Sequence, residues 1–279
     1  MVRDHDPGDL PSVNTDTTVM MTDIRGFASL SEGMPSQSVT GFLIGLNEAL
    51  AQPLFAAEDR GYIAYTDKFM GDATMNIFTD PQIALETAVK TRLQLQTFNK
   101  NPALFFKDAP AGMRVEAGIG LASGPVTLGV MGHSRRLDYT PIGDTVNLAS
   151  RLESLTKEYH IPILINDALY RGITPESFYL RHIDRIRVKG KNHPFDIYEE
   201  FSCDAPDIRA FKIESISQFQ ELQEMYFSGN SWEDAIRLAD SLSQSGDFTA
   251  EVYSRRMKAI FANPELFERW DGIYTFNEK

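Results

Sequence analysis

Asp23 and Asp72 each stand where an apolar stretch stops beside a glycine, Gly26 in one case and Gly71 in the other. Two such carboxylates suit paired hard cations. Mg²⁺ takes one or two carboxylates plus waters and phosphate oxygens, and a two-ion clamp steadies the attacking and leaving oxygens of an in-line displacement. The Ile24 carbonyl can join Asp23 on an ion, and the amides of Gly26, Phe27 and Ala28 can approach anionic oxygens. Lys68 lies among Tyr65, Phe69 and Met70, an apolar surround in which a solvated lysine is unexpected. Asn147 and Arg151 are four apart and share one helix face. An amide there can hold a sugar while the guanidinium neutralises charge at phosphorus. Each feature alone has a plainer reading, as turn aspartates, a surface lysine or a solvated stripe. Their coexistence in one chain carries the weight.

These residues need a scaffold, and hydrophobic periodicity supplies one. Thr17 to Met21 is β-branched and apolar and predicts a buried strand ending at Asp23. Val39, Phe42, Leu43, Leu46, Leu50 and Leu54 recur at helical spacing. Tyr62 to Phe78 reads as two strands joined at Gly71-Asp72, and Asp80-Pro81 opens a second helix. Asn101 to Gly112 reads as loop, Arg114 to Leu121 as a strand that runs into Ser123-Gly124-Pro125, and Val126 to Tyr139 as a further strand pair turning near Gly132-His133-Ser134. A helix from Thr145 to about Tyr159 follows, with Asp144 as its cap. Ile161 to Ile165 reads as a short strand, and Phe178 to Val188 pairs with Phe195 to Phe201. Strand, helix, hairpin, helix, strand is the split βαβ (ferredoxin-like) plan of an α+β fold, here with added strands. Beyond Asp204 to Asp207, stripes at Phe219 to Tyr226 and Trp232 to Ala239 predict a small C-terminal helical annex. Its order Tyr226, Gly229, Ala235 is only faintly like a tetratricopeptide unit. His133, His160, His182 and His193 lack ligand spacing and read as surface or turn residues.

Composition narrows the classes. A formal charge of −12 over 279 residues makes a poor general nucleic-acid binder, so any polyphosphate must meet local cations, bound metal or oriented amides. The same charge disfavours a two-metal nucleotidyl transferase, which needs a basic template groove. Cys203 is the single cysteine, which excludes an internal disulfide and suggests a reducing, cytoplasmic compartment. No apolar run reaches the roughly 18 residues of a spanning helix, so no membrane contact is expected of this chain. The early first strand is compatible with a catalytic piece of a longer protein that carries an upstream sensor.

The set Thr22-Asp23-Ile24-Arg25-Gly26-Phe27, Lys68-Phe69-Met70-Gly71-Asp72 and Asp138-Tyr139-Thr140 through Glu153 resembles the class III nucleotide cyclase catalytic domain. The resemblance runs from about Thr15 to Phe201. It implies residues 1–14 as linker or truncated upstream region, 15–203 as catalytic domain and 204–279 as helical extension. It further implies Asp23 and Asp72 as ligands of two divalent ions, Mg²⁺ or Mn²⁺, with Lys68 and Thr140 selecting the purine. Asn147 would orient the ribose and Arg151 would stabilise the transition state. Lys189 or Lys191, with Lys189 favoured, would bind triphosphate. Thr140 stands where many adenylate cyclases carry Asp, as in the threonine-bearing subgroup, some of whose members respond to bicarbonate. Guanylate cyclases usually carry Glu and Cys at the two base-reading positions. ATP is therefore expected over GTP, with cyclic AMP and pyrophosphate as products. The family also implies a head-to-tail homodimer in which each site takes Asp23 and Asp72 from one chain and Lys68, Thr140, Asn147 and Arg151 from the other. Lys68 and Asp72 straddle one tight hairpin, which makes their use in different sites sensible. The segment from Thr127 to Tyr139 would be an arm that embraces the partner. A non-catalytic regulatory domain of the same fold is the rival reading, and such domains should lack at least one of the six residues present here.

Overall fold

The computed structural model describes residues 12–107, 109, 112–133, 136–188 and 193–276. At its centre is β1 (Val13–Ile24), bonded antiparallel to β3 (Ala73–Phe78) on one side and β4 (Ala117–His133) on the other. Side chains alternate across a strand, and neighbours in β1 accordingly serve two cores. Val19 packs with Leu148, Leu152 and Leu155 of α4 (Asp144–Glu158), whereas Met20 packs with Leu54 of α2 (Ser36–Asp59) and Leu85 of α3 (Pro81–Lys100). The sheet is thus covered on both faces. Asp80 caps α3 as expected, its carboxylate accepting from the amides of Gln82 and Ile83 at 2.8 and 3.2 Å.

Between these elements lie the short helix α1 (Phe27–Glu32), β2 (Ala64–Met70), β5 (Arg136–Ile142) and β6 (Ile163–Asn166). After β6 come α5 (Asp167–Arg171), β7 (Leu180–Val188) and β8 (Phe195–Glu200). The order across the sheet is β2-β3-β1-β4-β6-β8-β7-β9, where β9 is Tyr274–Phe276 near the C-terminus, with β5 on the far half of β4. β4 and β6 are parallel and their neighbours antiparallel, which is the expected α+β plan. Among the described residues no helix is long and apolar enough to cross a membrane.

Several local expectations change. β4 runs unbroken through Ser123-Gly124-Pro125, because β1 pairs with it along its whole length, Thr17 opposite Gly124 and Asp16 opposite Pro125. Turn-forming residues lose to a long partner strand. Asp144 is the first residue of α4 rather than its cap; Gly143 caps it, and the Asp144 charge lies in the first turn, where the helix dipole favours it. α5 and the 3₁₀ turn Pro102–Leu104 occupy stretches that carry little periodicity.

The C-terminal region holds α6 (Pro206–Glu214), α7 (Ile216–Ser228), α8 (Trp232–Gln244), α9 (Phe248–Phe261), α10 (Pro264–Glu268) and β9 (Tyr274–Phe276). Phe219, Tyr226, Trp232, Tyr253 and Met257 give it a core of its own. It is also joined to the sheet. β9 adds to β7 in parallel, and Arg181 of β7 donates to Glu199 at 2.8 Å and to Asp247 at 2.5 Å with all three buried. His182 is no turn residue: it sits within β7, its ring 3.1 Å from Asp196 and 3.4 Å from the amide of Gln223 on α7.

Candidate active site

The end of β1 delivers Asp23 opposite Gly118 of β4, while Thr22 lies opposite Thr74 of β3. The β2–β3 hairpin turns immediately before Ala73, which brings Asp72 beside Asp23. Their charges interact: burial and the Asp72 carboxylate both raise the Asp23 pKa above the ordinary carboxylate value. Gly71 at φ 74° makes the hairpin turn, and Gly26 at φ 69° makes the turn from β1 into α1. That second turn is anchored by Arg25, whose amide donates to Glu116 O at 2.8 Å and whose guanidinium donates to Thr156 O and Ile161 O at 3.1 and 2.9 Å. The loop carrying Asp23 and Ile24 is thereby tied to the end of α4.

α4 itself lies unusually close to β4. A methyl group at Gly120 would stand 2.1 Å from Glu153 N, and one at Gly118 would stand 2.6 Å from Glu153 Oε1. The two glycines therefore set the depth at which Asn147 and Arg151 are presented. Asn147 is exposed and Arg151 half-buried, and neither hydrogen-bonds or ion-pairs with another described residue. Glu153, two residues on, faces the opposite way toward the sheet, where burial and Asp23 push its pKa up to about 7.

Lys68 and Thr140 belong to distant strands, β2 and β5, yet they meet at one atom. Asp67 Oδ2 accepts from Thr140 Oγ1 at 2.9 Å and from Lys68 Nζ at 3.2 Å. A register shift between Thr66 and Lys68 in the β2–β3 ladder accompanies this arrangement, and the Asp67 side chain is only 2% exposed. Lys189 and Lys191 lie outside the described residues, so their assignment stays an expectation.

The model of the adenylate and guanylate cyclase catalytic domain matches residues 12–199. The chain belongs to that family. An adenylate cyclase of Anabaena cylindrica is 40% identical to this cyclase domain over 187 residues, 65% of this chain and 36% of that protein. The terminal-differentiation specific adenylate cyclase of Dictyostelium discoideum is 35% identical over 216 residues, 75% of this chain and 10% of that protein. The cyclase chain thus spans about a third of the first relative and a tenth of the second. Among solved structures, the adenylyl cyclase CyaB from P. aeruginosa superposes with a TM-score of 0.58 at 30% identity, covering 69% of this chain and 97% of that one.

Set on the cyclase fold, the donor set suits divalent ions. Asp23, Asp72 and the Ile24 carbonyl offer only oxygen, and the repulsion that raises Asp23 is relieved by a shared cation. No trio of His, Cys, Asp or Glu among the described residues is close enough to hold an ion unaided. The remaining coordination then falls to water and phosphate, as Mg²⁺ prefers. A cavity of about 680 Å³ lies elsewhere, between α3 and the start of α6, lined by Arg92, Arg114 and Asp204. Asp67 and Arg25 had escaped sequence reasoning as site residues. The signal for Asp67 was an acid directly before a lysine in a semi-apolar strand; the signal for Arg25 was a cation wedged between Ile24 and a turn glycine.

Proposed function

We propose that this cyclase domain converts ATP to cyclic AMP and pyrophosphate at sites shared by a head-to-tail homodimer. The observation that carries the choice of substrate is the meeting of Lys68 and Thr140, one ammonium donor and one hydroxyl, at a single buried carboxylate. Such a pair complements adenine, whose ring nitrogen accepts and whose amino group donates.

In the reaction the ribose 3′ oxygen forms a bond to the α-phosphorus, the bond from that phosphorus to the pyrophosphate oxygen breaks in line, and the 3′ proton leaves to solvent. Asp23, Asp72 and the Ile24 carbonyl would hold divalent ions, which when bound would supply Lewis-acid chemistry to the displacement at phosphorus. Asn147 fixes the sugar so that the 3′ oxygen starts near the phosphorus. Arg151 neutralises charge that grows at the crowded phosphorus, and its lack of a described partner leaves its donors available. The amides of Gly26 and Phe27, at the turn into α1, face the phosphate chain, and Lys189 takes the triphosphate. Sharing the site explains why Asn147 and Arg151 are presented outward while Asp23 and Asp72 gather at a hairpin tip.

The test is cyclic nucleotide formation by the purified chain with ATP or GTP and Mg²⁺ or Mn²⁺ across a dilution series. Asp72→Ala and Arg151→Ala should each be inactive, and their mixture should regain roughly a quarter of wild-type activity, because half of randomly assorted dimers hold one intact site of two. Turnover of GTP alone, or none with either nucleotide, overturns the proposal.

A further inference from the structure

A threonine hydroxyl is ambiguous as a reader of bases. It carries one donor proton and two lone pairs, so unaided it can accept from the amino group at C6 of adenine or donate to the carbonyl at C6 of guanine or hypoxanthine. An ionised carboxylate has no such freedom, since it only accepts. In this chain Thr140 Oγ1 donates to Asp67 Oδ2 at 2.9 Å, which occupies the only proton the hydroxyl has. We propose that Asp67 is the positioning residue for base selection: by holding the Thr140 proton it turns Thr140 into an acceptor alone, and it steers the Lys68 ammonium alongside. This inference rests on the adenylate cyclase reading.

Three features of the structure support it. Asp67 is 2% exposed at its side chain, against 38% for Lys68, so it lies behind the pair rather than among the groups that meet the nucleotide. The ladder between β2 and β3 shifts register between Thr66 and Lys68. A regular strand would send the neighbours Asp67 and Lys68 to opposite faces, whereas here both reach one point. Finally, Tyr65 lies close enough to feel the Asp67 charge, and the carboxylate side chain is all but closed to solvent. Water is thus a poor competitor for the Thr140 proton. A base with a carbonyl at C6 would force one of two losses: either two acceptors face each other, or Thr140 turns and its bond to Asp67 breaks.

Asp67 touches neither the phosphates nor the ribose in this scheme, so its removal should alter which base is used more than how fast phosphorus is attacked. Inosine triphosphate is the discriminating probe, because it differs from ATP at C6 and the adjoining N1 and lacks the 2-amino group of GTP. The experiment measures kcat/KM for ATP and for inosine triphosphate with wild type, Asp67→Asn, Thr140→Val and the double variant. Asp67→Asn should lower the ATP to inosine triphosphate ratio by about tenfold or more, chiefly through KM, since the amide can donate to Thr140 and free its proton for the base. In the Thr140→Val background the same change at Asp67 should leave the ratio nearly unaltered.

An unchanged ratio in Asp67→Asn, an equal fall in both rates, or a full effect that persists without the Thr140 hydroxyl overturns the inference and leaves Asp67 a packing residue. Should Asp67→Asn fail to give a wild-type melting curve, Asp67→Ala takes its place in the same comparison. Failure of the functional reading is seen separately, as wild type that forms no cyclic nucleotide. Calorimetric titration of ATP and inosine triphosphate then reads the same ratio without turnover, and equal binding of the two by wild type overturns the role of Asp67 as well.

Discussion

Arg256 on α9 donates to Asp184 on β7 across 2.8 Å, with both side chains buried. Asp184 also accepts from Tyr159 at 2.6 Å, and Tyr159 is the C-cap residue directly after α4. The guanidinium lies 3.9 Å from the centre of the Tyr274 ring of β9, so one cation joins the C-terminal helices, the added strand and the helix bearing Asn147 and Arg151. We expect Arg256→Met to destabilise the chain by about 3–5 kcal/mol, because it strands a buried carboxylate. The double variant Asp184→Asn, Arg256→Met should recover most of that loss. Urea unfolding of wild type and the two variants decides it; equal losses in single and double variants would mean that packing, not charge, matters here.

Gly120→Ala should separate α4 from the sheet. The added methyl meets Glu153 N at 2.1 Å and Ala149 O at 2.5 Å, both backbone atoms that cannot swing away. The cost to stability should be about 1–3 kcal/mol or more. Since α4 presents Asn147 and Arg151, cyclase activity should fall more than tenfold even at temperatures where circular dichroism shows the variant folded.

Asp72→Asn should have opposite effects with and without metal. Without a divalent ion it removes the charge that helps raise the Asp23 pKa, and the melting temperature should rise. With Mn²⁺ at a hundredfold excess over Kd, wild type should gain about 2.7 kcal/mol and the variant almost none. Thermal melts with Mn²⁺ and with a chelator provide the comparison, and an equal gain in the variant would move the ion site away from Asp72.

Glu200 of β8 supplies a pH test. It is fully buried, Oε2 has no partner among the described residues, and burial pushes its pKa up to about 7. The folded chain thus holds this proton to a higher pH than the unfolded chain does. The associated stability is present below the ordinary carboxylate pKa and is lost as pH rises through about 7. Glu200→Gln should raise stability by up to about 3 kcal/mol near pH 8 and by much less near pH 5. A pH-independent difference in denaturant midpoints would contradict this.

The order of elements was readable because strands and helices announce themselves within a few residues: the β-branched run of β1, the Asp80-Pro81 start of α3 and the stripe of α2 each repeat a local period. Ser123-Gly124-Pro125 misled for the same reason, since its local preference for a turn was overruled by pairing with Asp16 and Thr17 more than a hundred positions away. The site residues themselves were legible as types at spacings. Asp23 and Asp72 end apolar stretches, and Asn147 and Arg151 share a helix face.

By itself the sequence determined the family, the strand and helix that carry each proposed catalytic group, and the acidity that disfavours nucleic acid. It did so because side-chain type and periodicity are properties of neighbours along the chain. Only the tertiary structure decided that Thr140 shares Asp67 with Lys68, that Arg25 grips the end of α4, and that Arg181 and Arg256 bind the C-terminal helices to the sheet. Those choices depend on which groups lose water together. Desolvation is set by contacts between distant segments, and no local pattern reports it.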